Sequence, residues 1–132
     1  MPARAALLPL LLGLSFCAPD ETVSGYAGAG SVWRLEEMAG LPAPARVTLG
    51  FPAEGRIEGQ GPCNAYRGRQ TVPYPWFQAT DIAATKRACP DLAAEAGYLS
   101  LLGEMTLAEV MGDVLILSDE TGRTLVFRRL GG

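Results

Sequence analysis

The sequence predicts an α+β domain, a mainly antiparallel, curled sheet of about seven or eight strands packed with one helix. Three observations lead there. Short stretches of alternating apolar and polar residues recur with turn residues between them, as in Arg46-Val47-Thr48-Leu49-Gly50-Phe51 and Thr124-Leu125-Val126-Phe127-Arg128. A single segment, Leu92 to about Met105, carries its apolar residues at helical spacing. The strands stand in groups before and after that segment instead of alternating with several helices, which argues against a parallel sheet.

Taken in order, Met1 to Cys17 (residues 1–17) has Arg4 and then the apolar run Ala5 to Leu14, the form of an export signal peptide. The run is shorter than the roughly 18 apolar residues that would span a bilayer. It ends in Leu14-Ser15-Phe16-Cys17, which resembles a bacterial lipobox, where the Cys is acylated and becomes the new N-terminus. Phe16 departs from that pattern, which normally has a small residue there. Ordinary signal-peptidase cleavage after Cys17 or Ala18, or later after Ala27-Gly28-Ala29, is the competing outcome and would release a soluble periplasmic protein. Residues 18–30, rich in Gly and Ala, have little to bury and are expected to form a flexible tether reaching roughly 20 Å.

The folded domain is then expected over residues 31–130. Val32 to Glu37 is a short, roughly alternating strand, and Arg46 to Phe51 places Val47, Leu49 and Phe51 on one face. Pro52-Ala53-Glu54-Gly55 is a turn that leads into Arg56-Ile57-Glu58-Gly59, making a hairpin, and Ala65 to Thr71 adds a strand. Phe77 to Thr85 reads as a further strand ending near Cys89. Asp91 is placed to cap the helix, in which Leu92, Ala96, Leu99 and Leu102 form the apolar face while Glu95 and Glu104 stay out. Leu107 to Met111, Val114 to Leu117 and Thr124 to Arg128 follow, the last two joined as a hairpin by Ser118-Asp119-Glu120-Thr121-Gly122.

With 132 residues, 48% hydrophobic and 19% charged, one small globular domain is expected. The chain has no His, which removes Ser-His-Asp and Cys-His catalysis and every His-containing metal site. Its formal charge is −3, and the basic residues are scattered among acids, so nucleic acid is not expected as a partner. Of the 3 Cys, Cys17 is acylated or lost with the leader, which leaves Cys63 and Cys89 as an even pair in an oxidising compartment. They are expected to bond to each other. Zinc would want four N/S ligands, and a redox pair would be Cys-x-x-Cys, so no metal or cofactor is expected.

Three features coincide: the Trp33-x-Leu35 strand, Gly59-Gln60-Gly61-Pro62-Cys63-Asn64-Ala65-Tyr66, and Ala84-Thr85-Lys86-Arg87-Ala88-Cys89 ahead of a helix containing Glu95. With the closing Leu115-x-Leu117 and Leu125-x-Phe127 hairpin, the chain from Ser31 to Leu130 resembles the META domain family of HslJ-like bacterial heat-shock lipoproteins. Pro62 stands where that family has a second Gly, and Arg87 where an apolar residue is frequent. The resemblance implies an exported cell-envelope domain, commonly lipid-anchored, without an established enzymatic activity.

Single residues add less. Asn64 reads as a turn residue bonding local backbone, and Trp33, Tyr66 and Tyr98 as core aromatics. Pro73-Tyr74-Pro75-Trp76-Phe77 is a Pro-flanked aromatic loop that could present Tyr74 and Trp76 as a binding surface or cover the open end of the sheet. The expected function is therefore a non-enzymatic envelope module, lipid-anchored through Cys17 at the periplasmic face of a membrane or soluble in the periplasm. It would act through contacts with envelope proteins in envelope maintenance or stress tolerance. A small hydrophobic or glycan ligand in the mouth of the curled sheet is the alternative. A hydrolase using Asp81, Asp91 and Glu95 is the third, and it needs those carboxylates to straddle a cleft.

Overall fold

Alternation of buried and exposed side chains builds every long strand of the structure, a computed structural model that describes residues 18–131. The predicted signal peptide and Cys17 lie outside the described residues. A short helix α1 (Val23–Ala27) precedes strands β1 (Val32–Met38), β2 (Leu41–Pro42), β3 (Thr48–Gly50), β4 (Arg56–Gln60), β5 (Ala65–Arg69) and β6 (Thr80–Ala84). Helix α2 (Leu92–Glu104) and strands β7 (Leu107–Met111), β8 (Val114–Ser118) and β9 (Thr124–Arg129) follow. All pairings are antiparallel, in the order β6-β5-β4-β3-β1-β9-β8-β7, with the two-residue β2 attached to β1. The sheet curls into a half-barrel with one main helix, the α+β class expected.

Leu115 and Leu117 of β8, Leu125 and Phe127 of β9 and Trp33 and Leu35 of β1 all point to one side, and all are buried. The core they form with Leu49, Ile57, Tyr66 and the α2 residues Tyr98, Leu101 and Leu102 occupies the inside of the curl. Each such aliphatic or aromatic side chain contributes about 1.5–3 kcal/mol by leaving water. The strand expected from Phe77 starts only at Thr80, because Phe77 and Trp76 serve a different strand. The Phe77 amide donates to Thr106 O, the Ala108 amide donates to Pro75 O, and Trp76 bridges Leu107. The loop thereby covers the β7 edge, whose N–H groups would otherwise invite another strand.

Two expectations are corrected here. Residues 18–30 are not a flexible tether. Asp20 accepts from the Thr22 amide (2.9 Å), the Thr22 hydroxyl (2.5 Å) and the Ser24 hydroxyl, and this knot starts α1. Val23 and Ala27, one helical turn apart, are then fully buried in the core. Few apolar residues suffice because the segment has only one short face to bury.

The face of α2 is also different. The buried residues are Glu95, Tyr98, Leu101 and Leu102, while Leu92 is 45% exposed and Ala96 is exposed. Asp91 occupies the N-cap position but makes no side-chain capping bond. The helix is rotated by the demands of a carboxylate, described next.

Candidate functional site

The connection between β4 and β5, Gly61-Pro62-Cys63-Asn64, is closed by the Gly61 amide donating to Asn64 O at 2.7 Å. Pro62 has no N–H, and the two that follow it turn together toward α2. The Cys63 and Asn64 amides both donate to Glu95 Oε2 at 2.7 Å, and Asn64 Nδ2 donates to Oε1 at 2.7 Å. Gly61 is required beneath them, since a Cβ there would stand 2.7 Å from Glu95 Oε2. Burial works to raise the Glu95 pKa, but these bonds from the Asn64 side chain and the Cys63 and Asn64 amides outweigh it and hold the carboxyl below its ordinary value.

Asn64 also reaches the segment before Cys89. Its Oδ1 accepts from the Arg87 amide (2.6 Å) and the Thr85 hydroxyl (2.9 Å), and its Nδ2 donates to Arg87 O (3.1 Å). Cys63 and Cys89 form a disulfide with their Cα atoms 5.8 Å apart. The two segments singled out in the sequence are thus one buckle, tying the β4–β5 turn, the strand exit after β6 and α2. Asn64 does not bond its own turn locally, as its residue type suggested. It spends its amide on partners more than twenty residues away.

Beside the buckle, Tyr66 Oη donates to Thr48 O at 2.7 Å, so its 2.7 Å contact with Tyr98 Oη is one in which Tyr98 donates. Burial raises both phenol pKa values. Gly59 admits the Tyr66 ring, whose Cε1 would lie 2.8 Å from a Cβ at that position. These aromatics are core residues, as expected, and so is Trp33, over whose ring the Arg129 guanidinium stands at 4.6 Å.

The buried cluster packs inside the curled sheet. A depression of about 580 Å³ lies instead over β1, β3 and β4, lined by Val32, Arg34, Thr48, Glu58, Gln60 and Leu130 among others. The three candidate carboxylates do not share a cleft. Asp81 lines an outer-face depression with Arg56, Arg67 and Arg69, Glu95 lines a separate one with Lys86 and Arg87, and Asp91 lines neither. The basic side chains are less scattered than they read in sequence, because the β4–β5 register sets Arg56 opposite Arg69 and Arg67 opposite Glu58.

Tyr74 and Trp76 part company. The Tyr74 ring stacks on Tyr26 at 4.1 Å and its hydroxyl accepts from the Val110 amide at 3.1 Å, so it is a half-buried clamp and not an outward contact. Trp76 is 58% exposed. Sequence reasoning missed Tyr26, and the only signal for it was the Asp20-x-Thr22-x-Ser24 knot that makes its segment helical.

The family model of the META domain matches residues 27–131. No curated protein matches the chain. Among solved structures, a protein from Burkholderia xenovorans studied by NMR is similar at 20% identity, with a TM-score of 0.65 over 95% of this chain and 100% of that one. A DUF4847-family protein from Bacteroides vulgatus is similar at 15% identity, with a TM-score of 0.60 over 80% of this chain and 96% of that one. Both likenesses concern the fold.

Proposed function

The chain belongs to the META domain family, and from that premise we propose that it is a non-enzymatic cell-envelope lipoprotein, anchored through Cys17 at the periplasmic face of a bacterial membrane. There it acts through contacts with other envelope proteins in envelope maintenance or stress tolerance. The observation that carries the non-enzymatic reading is that the buried polar groups are consumed by one another. Glu95 is saturated by Cys63 and Asn64, Asn64 by Thr85 and Arg87, and the Tyr98 hydroxyl by Tyr66. A general acid or nucleophile needs a free, approachable group. Export and acylation are supported by the leader and by Leu14-Ser15-Phe16-Cys17.

Fractionation and intact mass of the mature protein test the anchor. The protein should sediment with membranes, resist salt, dissolve in detergent and carry acyl chains on Cys17. Replacing Phe16 with Gly should raise the acylated fraction. If Cys17→Ser changes neither the mature mass nor the location, the protein is a soluble periplasmic domain. Crosslinking in intact envelopes then identifies the protein contacts. A second reading, binding of a small hydrophobic or glycan ligand, is favoured by the depression of about 580 Å³ over β1, β3 and β4, a volume in the usual range for small-molecule sites. Native mass spectrometry of protein taken from envelopes would retain such a ligand, and Val32→Trp would expel it.

A further inference from the structure

We infer that Tyr26, Trp76, Leu107 and Met111 form the face by which the domain rests on the bilayer that holds its anchor, an inference that relies on the acylation of Cys17 proposed above. The four are 55%, 58%, 37% and 59% exposed, so each leaves a large apolar side chain in water. They also adjoin one another. Tyr26 stacks on Tyr74, two residues before Trp76; Trp76 pairs antiparallel with Leu107, so their side chains share a face; and Leu107 and Met111 are of the same parity along β7.

The length of the chain to the anchor chooses the occupant. The Tyr74 amide donates to Glu21 O at 2.7 Å, which fixes Glu21 against the aromatic loop. Only Ala18, Pro19 and Asp20 lie between Cys17 and Glu21, and even fully extended the four steps reach at most about 14 Å. An acylated Cys17 sits at the level of the lipid headgroups, so Glu21 is held within that distance of the same layer, with the aromatic loop bonded to it. Trp and Tyr are the side chains that settle in this layer, with an apolar body and a polar tip. Glu109 shares this face of β7, between Leu107 and Met111, and Glu21 is exposed near it; both are acidic, so the attraction is apolar and not electrostatic.

The two Trp residues make the test direct. Trp33 is fully buried, whereas Trp76 is exposed, so only Trp76 can meet lipid. The mature protein, purified with its anchor and confirmed by mass, is placed in vesicles of phosphatidylethanolamine and phosphatidylglycerol with brominated acyl chains. Trp emission should fall roughly twofold against unbrominated vesicles, at low and high salt alike, and Trp76→Phe should abolish the quenching while leaving the buried Trp33 emission. Acylated protein whose Trp76 is unquenched, including one in which Trp76 crosslinks to another protein, overturns the inference and leaves the lipoprotein reading intact. Mature protein without acyl chains overturns both.

Discussion

A carboxylate as buried as Glu95, at 3% exposure, is stable as an anion only if its oxygens are met by donors, and three hydrogen bonds from Cys63 and Asn64 meet them. Its folded pKa lies below the ordinary value, so in acid the unfolded chain binds more protons than the fold does. The Glu95 contribution is therefore complete above the unfolded pKa and is lost as pH falls through the depressed folded one. Glu95→Ala strands buried amides and should lower stability at neutral pH by about 3 kcal/mol, read from urea unfolding with an unchanged slope. A cost below about 0.5 kcal/mol would mean that water replaces the carboxylate without penalty. Asn64→Asp should behave oppositely with pH. It sets two carboxylates against each other, the pair retains a proton in the fold, and its folded pKa rises above the unfolded value. That variant should gain stability relative to wild type as pH falls from about 7 to about 5, and a parallel pH profile would refute the contact. Asn64 was legible in the sequence as part of a motif, but its role was not. Its partners and those of Glu95 lie more than twenty residues away, and residue type alone reads a helical Glu as exposed.

Helix α2 forms where its spacing predicts and turns Leu99 and Leu102 inward as expected, but Glu95 and Tyr98 are buried where Leu92 and Ala96 are expected. Counting Leu92, Ala96, Leu99 and Leu102 as one stripe is sound for an isolated amphipathic helix. Here Glu95 must face the Cys63–Asn64 turn, and Tyr98 must face Tyr66, so the helix turns Leu92 to solvent. The strands were more legible because alternation needs no knowledge of a partner: Leu115, Leu117, Leu125 and Phe127 are all buried as the pattern requires. Helix α1 was illegible for the opposite reason to α2. Its five residues are too few to show a helical period, and the local knot at Asp20 and the docking of Val23 and Ala27 order it. Gly25 is the position at which this element can be tested, since a Cβ there would stand 2.0 Å from Asp20 O. Gly25→Ala should undo the Asp20 knot, cost about 1–3 kcal/mol and speed exchange of the Gly28 and Tyr74 amides, which donate to Ser24 and Glu21. Exchange rates equal to wild type would show that the segment accommodates the methyl by shifting without undocking.

Across the whole molecule the sheet has two parts that meet at β1. One side carries β3 to β6 with the buckle and its disulfide, and the other carries β9, β8 and β7, with the last strand inserted beside the first. The Cys63–Cys89 bond, with a sequence separation of 26, lies wholly within the first part. Its main effect is to deny the unfolded chain a set of open conformations, worth roughly 3–4 kcal/mol in the chain-entropy account. That is a large share of the 5–15 kcal/mol typical of a domain. It is not the whole, because Trp33, Leu35, Leu115, Leu117, Leu125 and Phe127 pack on the other side of the molecule without it, and Glu95 continues to bind the Cys63 and Asn64 amides by hydrogen bonds. The double variant Cys63→Ser with Cys89→Ser should therefore stay folded, keep its far-ultraviolet circular dichroism and melt roughly 10–25 °C lower than the oxidised protein. Reduction of the native protein should lower its melting temperature by a similar amount. A variant that is unfolded at room temperature would instead mean that the hydrogen-bonded buckle cannot close without the covalent one, and that the β3–β6 side has no independent hold on α2.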